Sequence, residues 1–475
     1  MKKISKTKMS KFAFFSMTAS LFITVYEYPT FAMSGKSLIF FLLLCGVGWF
    51  LPVALCSAEL ATLEEYQEGG IYSWVGKSLG EKYGFAAIFF QWFQITVGFV
   101  TMIYFIIGTI SYILEIPELN NDPIFKFISV VSIFWILTLL QLKGTESTSK
   151  LAKYGFSIGI VLPVFIMLIL AINYFLSGSQ ISTSFTQSSF VPKLHDASSL
   201  TSFVLAYMGV EASATYFSKL ENPQKNYPKL LFILVLVGIL MSTIGGTIVS
   251  MVLSGNISSN QGVMDAITEL VSPNNISWPV KLMGLLISFG IIAQVSSWIV
   301  SPTEGLQFAA TKGLLPESLA IKNRNQVPVK ILLVQAIVVT FWAALLTFGS
   351  RGAGGNIAFQ TAISLTVLIY LSAYILIFIS YLVVLLKHKD LKRDFEIPGG
   401  KGVKLAVSLV GLLLSIAAVS TAFIIPSSIP KQNGVIYLVL LSACVIITLS
   451  FPFVFYYFYS ITNQKKLQKR SSYNL

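Results

Sequence analysis

Twelve apolar runs separated by short polar stretches make up most of the chain, at about 12–34, 38–60, 85–114, 124–142, 151–176, 199–219, 228–253, 279–311, 330–349, 357–386, 404–425 and 434–461. A helix needs roughly 20 apolar residues to cross a bilayer, and each run is near or above that length. Two runs carry polar interruptions at mid-depth. The first holds Val25-Tyr26-Glu27-Tyr28-Pro29-Thr30-Phe31-Ala32; the sixth holds Ala206-Tyr207-Met208-Gly209-Val210-Glu211-Ala212-Ser213. Pro29 has no N–H and clashes with the preceding turn, so a break or kink is expected near Glu27. Gly209 gives the sixth run backbone freedom. A carboxylate facing lipid at the bilayer centre costs about 2.5–3.5 kcal/mol. Irregular backbone at that depth is tolerated only inside protein or beside a water-filled cavity. Either Glu27 belongs to a structural kink and is paired, or these residues line a substrate path.

Interruptions in the first and sixth runs point to two five-helix repeats of opposite topology, because an odd number of helices inverts the second copy. The predicted fold class is therefore an all-α polytopic membrane protein with 12 transmembrane helices and a five-plus-five inverted repeat over 12–176 and 199–386. The first and sixth helices are broken, and two accessory helices follow over 404–461. In such folds, half-helix N-termini face carboxylates and unwound carbonyls face cations. The N–H groups near Thr30 to Ser34 are candidates for a substrate carboxylate, and the carbonyls from Tyr207 to Gly209 for an ammonium. Tyr370 and Tyr374 are four apart and share a helix face. They read equally as core packing or as hydroxyls and ring faces for an ammonium. Gln91 and Gln94 also share a face, as interhelical glue or cavity lining. The eighth run is too polar to face lipid in its second half, with Gln294, Trp298 and Ser301-Pro302-Thr303-Glu304-Gly305. Glu211 is a candidate proton-sensing group or a permanently paired structural acid. The acidic loop with Glu64, Glu65, Glu68 and Gly69-Gly70, and the basic loop from Lys387 to Lys404, both read as solvated.

Composition agrees with a membrane setting. Of 475 residues, 55% are hydrophobic and 11% charged, with mean hydropathy +0.76. Soluble domains carry about 25% charged residues. The net charge of +13 invites a nucleic-acid reading, but the basic residues sit in short loops. With both termini cytoplasmic (segments 1–11 and 462–475), 27 of the 33 Lys and Arg lie inside and 6 outside. That is the positive-inside distribution, and it argues against a nucleic-acid partner. The first run is too long and too poorly flanked for a signal peptide. Cys45, Cys56 and Cys444 lie in apolar runs without paired spacing, and His195 and His388 fall in loops. A metal centre and a His-based hydrolase are hard to build from these, and no Walker-type loop is present. The expectation is a non-enzyme without cofactors.

Tyr26-Glu27-Tyr28-Pro29-Thr30-Phe31-Ala32, Glu68-Gly69-Gly70-Ile71-Tyr72-Ser73-Trp74, Tyr207-Met208-Gly209-Val210-Glu211-Ala212-Ser213-Ala214 and Phe395-Glu396-Ile397-Pro398-Gly399-Gly400-Lys401-Gly402 together resemble the bacterial glutamate/γ-aminobutyrate antiporters of the amino acid–polyamine–organocation superfamily. The resemblance runs nearly end to end. It implies exchange of external glutamate for internal γ-aminobutyrate across the bacterial inner membrane. It also implies coupling to a proton-consuming cytoplasmic decarboxylase, and hence acid resistance. Tyr26, Glu27, Tyr28, Glu211, Tyr370 and Tyr374 would be pocket or gate residues. Two departures fall on the eighth run, where the family pattern has Glu at Gln294 and Gly-Pro-Ser-Arg-Gly at Ser301 to Gly305. They bear on the substrate pair and on pH gating, with Glu304 as a candidate gate. Only about a dozen polar residues follow the last run, so a C-terminal plug is not expected. The competing readings are an exchanger of another amino acid and its amine, such as tyrosine/tyramine, or a proton- or sodium-coupled uptake carrier.

Overall fold

The computed structural model describes residues 8–183, 185, 199–255, 257–271, 276–349, 355–388, 390–425, 429 and 431–472. Lys2, Lys3, Lys6, Lys193, His195, Arg351 and Lys389 lie outside the described residues. The chain is helical throughout these segments, with two isolated β-bridges, Met9 with Leu220 and Leu63 with Arg393.

The helices are α1 (Lys11–Phe22), α2 (Tyr28–Ala32), α3 (Gly35–Thr62), α4 (Ile71–Leu79), α5 (Glu81–Leu114), α6 (Pro123–Gln141), α7 (Glu146–Leu176), α8 (Ser199–Leu205), α9 (Pro223–Val252), α10 (Gly262–Val271), α11 (Trp278–Thr311), α12 (Val329–Phe348), α13 (Gly355–Lys387), α14 (Gly400–Thr421) and α15 (Gly434–Ser472). Among the described residues, ten helices are long and apolar enough to span a membrane. The first and sixth apolar runs are not among the ten because each is split. α1 stops at Phe22 and α2 starts at Tyr28; α8 stops at Leu205, and a 3-10 helix resumes at Val210–Lys219. Two further helices of nine or ten residues, α4 and α10, lie in stretches that read as loops, as do two four-residue helices, Glu118–Asn121 and Glu317–Ala320.

The first break, expected near Glu27, runs from Ile23 to Glu27, and Pro29 sits in the first turn of α2. A proline there needs no hydrogen-bond partner and has the right φ. In the sixth run Gly209 takes φ +122°, a value closed to L side chains, and turns the chain from α8 into the 3-10 helix.

Small residues bring α7 and α11 into backbone contact. A Cβ on Gly159 would lie 2.4 Å from the Cα and N of Gly290, and one on Gly155 would lie 2.1 Å from the Ala293 Cβ. Such stripes are how helices associate in lipid, where apolar burial gives no preference for protein over acyl chain. Gly159→Leu is expected to destabilise the fold by about 1–3 kcal/mol or more, read as a lower thermal midpoint in detergent. An unchanged midpoint would mean the two helices do not meet there.

The stretch from Lys387 to Lys404 departs from the solvated loop expected. It folds back onto Glu59 at the end of α3. Glu59 is buried and accepts from Arg393 Nη1 (2.8 Å), Tyr381 OH (2.9 Å), Ile397 N (2.9 Å) and Lys404 Nζ (3.1 Å). Glu64 N also donates to Lys392 O at 3.1 Å. Lys404 Nζ reaches Glu396 at 2.6 Å, which holds that carboxyl below its ordinary range. The stabilising effect of this bond is present above the ordinary carboxylate pKa. It is lost as pH falls through the lowered value.

Candidate transport site at the two helix breaks

Unwinding α1 leaves backbone carbonyls without their helical partners. Side chains of α11 take two of them: Trp298 Nε1 donates to Leu21 O at 2.8 Å, and Gln294 Nε2 to Ile23 O at 2.6 Å. Gly209 makes this possible from the other break. A Cβ there would lie 2.7 Å from Trp298 Cζ2 and 3.1 Å from Leu21 O. The two breaks and α11 therefore meet at one point.

Glu211 sits just beyond Gly209 and is buried. Its Oε1 accepts from Gln91 Nε2 of α5 (2.9 Å) and from Tyr370 OH of α13, and its Oε2 accepts from Tyr374 OH. Tyr374 OH in turn accepts from Gly209 N–H at 2.7 Å. The four-residue spacing of Tyr370 and Tyr374 puts both phenols on one carboxylate. Trp49, in a π-turn of α3, meets the Tyr374 ring edge-on at 4.7 Å and donates to Ser415 Oγ of α14 at 2.8 Å.

A cavity of about 70 Å³ opens beside this cluster, lined by Thr24, Tyr26, Glu27, Gln94, Met208, Trp298 and Tyr370 among others. Small-molecule sites are usually above about 300 Å³, so an amino acid enters only if the walls part. The larger cavity, about 660 Å³, is elsewhere, between α4 and α11, among the charged groups Glu65, Glu68, Lys77, Glu81 and Lys312. Those groups are exposed, whereas the Glu211 cluster beside the smaller cavity is buried.

The sequence-predicted residues separate into three groups. Tyr26, Glu27, Trp298 and Tyr370 line the cavity. Glu211, Tyr374, Gly209 and Gln294 stand behind that wall and hold it together. Tyr28, Thr30, Tyr207 and Glu304 lie off it. The Tyr28 ring packs on α9, where a Gly245 Cβ would come within 2.0 Å of it. Thr30 is within hydrogen-bonding reach of Glu27. The Tyr207 ring stacks on Phe50 at 5.1 Å, and its OH points to Leu42 O at 3.4 Å. Glu304 pairs with Lys219 at 2.7 Å, at the far end of α11. The N–H groups expected to meet a carboxylate are partly engaged: Phe31 N, Met33 N and Ser34 N donate to Glu27, Pro29 and Phe31 carbonyls at 3.0 Å. The two glutamines of α5 divide their roles, Gln91 on Glu211 and Gln94 in the cavity wall. Trp49 and Glu59 were not singled out from sequence, because a Trp or Glu in an apolar run has no spacing that names its partner.

Removing the Trp298 donor while keeping a ring, as in Trp298→Phe, leaves Leu21 O short of a partner. Leaving that buried carbonyl unmatched costs about 1–3 kcal/mol, and a loss of that order from the competent state is expected to slow transport about tenfold. Uptake into proteoliposomes checks this, and a wild-type rate would remove Trp298 from the support of the break.

Membrane-length helices around two unwound, polar-lined breaks make this a multi-pass membrane transporter. The chain belongs to the amino acid permease family, whose model matches residues 9–451. It is 48% identical over 459 residues to the glutamate/gamma-aminobutyrate antiporter of Lactococcus lactis subsp. lactis strain IL1403, covering 95% of this chain and 91% of the relative. The antiporter of the same name from Lactococcus lactis subsp. cremoris strain MG1363 has the same identity and coverage. The cadaverine/lysine antiporter of Escherichia coli strain K12 is 22% identical over 317 residues, 65% of this chain and 69% of that one. These relatives are transporters, not enzymes.

Proposed function

We propose that the chain is an amino-acid antiporter of the bacterial cell membrane that exchanges external glutamate for internal γ-aminobutyrate. The 48% identity along 95% of the chain to antiporters of that name carries the reading. Counting the two broken runs as crossings gives twelve, in a five-plus-five inverted repeat over 12–176 and 199–386, with 404–461 accessory and both termini cytoplasmic by charge bias. Tyr26, Glu27, Trp298 and Tyr370 contact the substrate, and Glu211, Gly209, Gln294 and Tyr374 set their positions. Tyr28, Thr30 and Tyr207 shape the breaks from outside the wall, and Glu304 acts with Lys219 as a gate. Export of the decarboxylated product couples the carrier to a cytoplasmic decarboxylase and so to acid resistance.

Two details favour exchange over cation-coupled uptake and over a substrate of different charge. The Leu21 and Ile23 carbonyls, the sort that unwound helices offer to a coupling cation, are bonded to Trp298 and Gln294. Neither departure on α11 lies in the cavity wall: Gln294 serves the Ile23 carbonyl behind it, and Glu304 is paired with Lys219.

Liposomes preloaded with γ-aminobutyrate, given labelled glutamate outside across a pH series, test the reading. Uptake that requires the internal amine supports it. Equal uptake into empty liposomes under an ion gradient would favour a coupled carrier. Counterflow driven best by another acid–amine pair would favour the related exchanger.

A further inference from the structure

Tyr381 lies seven residues after Tyr374 and eleven after Tyr370, which on a helix returns to the same face. α13 thus places three phenols in one line and sets them on two buried carboxylates. Tyr370 and Tyr374 hold Glu211, and Tyr381 holds Glu59 about 10 Å further along the axis, at 1.5 Å per residue. At the Glu59 level, Arg393 also donates to His388 O at 3.2 Å, capping the end of α13. Lys404 brings in α14 at 3.1 Å from Glu59. The same three helices meet again at the upper level, where Trp49 of α3 contacts both Tyr374 of α13 and Ser415 of α14. α13 has no break between the two levels. A slide or rotation that frees Tyr381 from Glu59 therefore also displaces Tyr370 and Tyr374 from Glu211.

We propose that Glu59 is a positioning residue for the candidate transport site: through Tyr381, Arg393, Lys404 and the Ile397 N–H, it sets where α13 presents its two upper tyrosines. Whether that placement matters for exchange rests on the reading of the Glu211 cluster as the transport site. The placement itself does not depend on any substrate.

The Gly209 N–H, held by Tyr374 OH, is a built-in reporter. Hydrogen–deuterium exchange of the full chain in nanodiscs, without substrate, should be followed on peptides covering 206–211. In Tyr381→Phe and Glu59→Gln, exchange there is expected to quicken about tenfold, the equivalent of one hydrogen bond, with α6 peptides unchanged. The KM for exchange in liposomes is expected to rise by a similar factor at a constant number of transporters. Tyr381→Phe removes one hydroxyl and keeps both ion pairs, so it remains informative if Glu59→Gln fails to fold. Unchanged exchange at 206–211 in Tyr381→Phe would overturn the proposal, as would quickened exchange with an unaltered KM. Failure of the wild type to exchange glutamate for γ-aminobutyrate would instead count against the substrate reading, with the hydrogen-exchange result still deciding the placement.

Discussion

Replacing Glu211 by alanine is expected to reduce exchange at least 100-fold. Its two oxygens are the acceptors for Gln91 Nε2, Tyr370 OH and Tyr374 OH, all buried. Each donor left unmatched costs about 1–3 kcal/mol, so losing the acceptor for all three costs at least about 3 kcal/mol, more than the 2.7 kcal/mol or so that corresponds to 100-fold. The effect falls on the site rather than on the whole fold, because these donors come from α5 and α13 at the edge of the cavity. Glu211→Gln separates charge from geometry. It keeps one acceptor oxygen but turns an NH2 toward a phenol that already accepts from Gly209 N–H. It is expected to retain a fraction of the exchange and to lose its acid dependence. A wild-type pH profile in Glu211→Gln would leave Glu211 a structural acceptor and remove the sensing role.

Gly209→Ala is expected to be nearly as damaging through a different cause. At φ +122° a Cβ is strained before any contact is counted. The added carbon would then lie 2.7 Å from Trp298 Cζ2 and 3.1 Å from Leu21 O. Relief requires the indole to swing away, which breaks its bond to Leu21 O and loosens the first break as well as the second. The combined penalty of about 2–4 kcal/mol predicts a 30- to 1000-fold loss of exchange. Transport and thermal unfolding measured on the same preparation check it. A normal rate with a normal melting midpoint would mean that the two breaks are not joined at Gly209.

Part of this site is legible in the chain and part is not. Pro29, Gly209 and the two mid-run acids announce breaks because their effects are local: a missing N–H, an absent Cβ, a charge in an apolar run. The four-residue step from Tyr370 to Tyr374 shows that the phenols share a face, but not that Glu211, 159 positions before Tyr370, is what they hold. The sorting of Tyr26 into the cavity and Tyr28 onto α9 follows from the path of the unwound segment, which holds Tyr26 and ends where α2 begins at Tyr28. Two tyrosines so close in the chain give no sign of that path.

Hydropathy also loses its sense of direction in a membrane. On α12, Ile337, Phe341 and Leu345 face outward at 61%, 62% and 42% exposure, while Ala336, Val339 and Ala343 are buried, and both faces are apolar. Periodicity therefore tells a soluble protein which side is inside but leaves that open here. The loop from Lys387 to Lys404 fails for the complementary reason. Its charges read as solvated until Glu59, more than 300 residues earlier, supplies a buried counter-charge.

The amino-acid sequence by itself determined the apolar runs, the charge bias between the loops that separate them and the two runs in which a helix is interrupted. All of these are set by each residue's own backbone and solvation preferences. Only the tertiary structure decided which acid meets which phenol, that α11 holds the carbonyls freed at the first break, and that a basic loop closes on α3. Those pairings depend on helix rotation and on contacts far apart in the chain, which no local preference encodes.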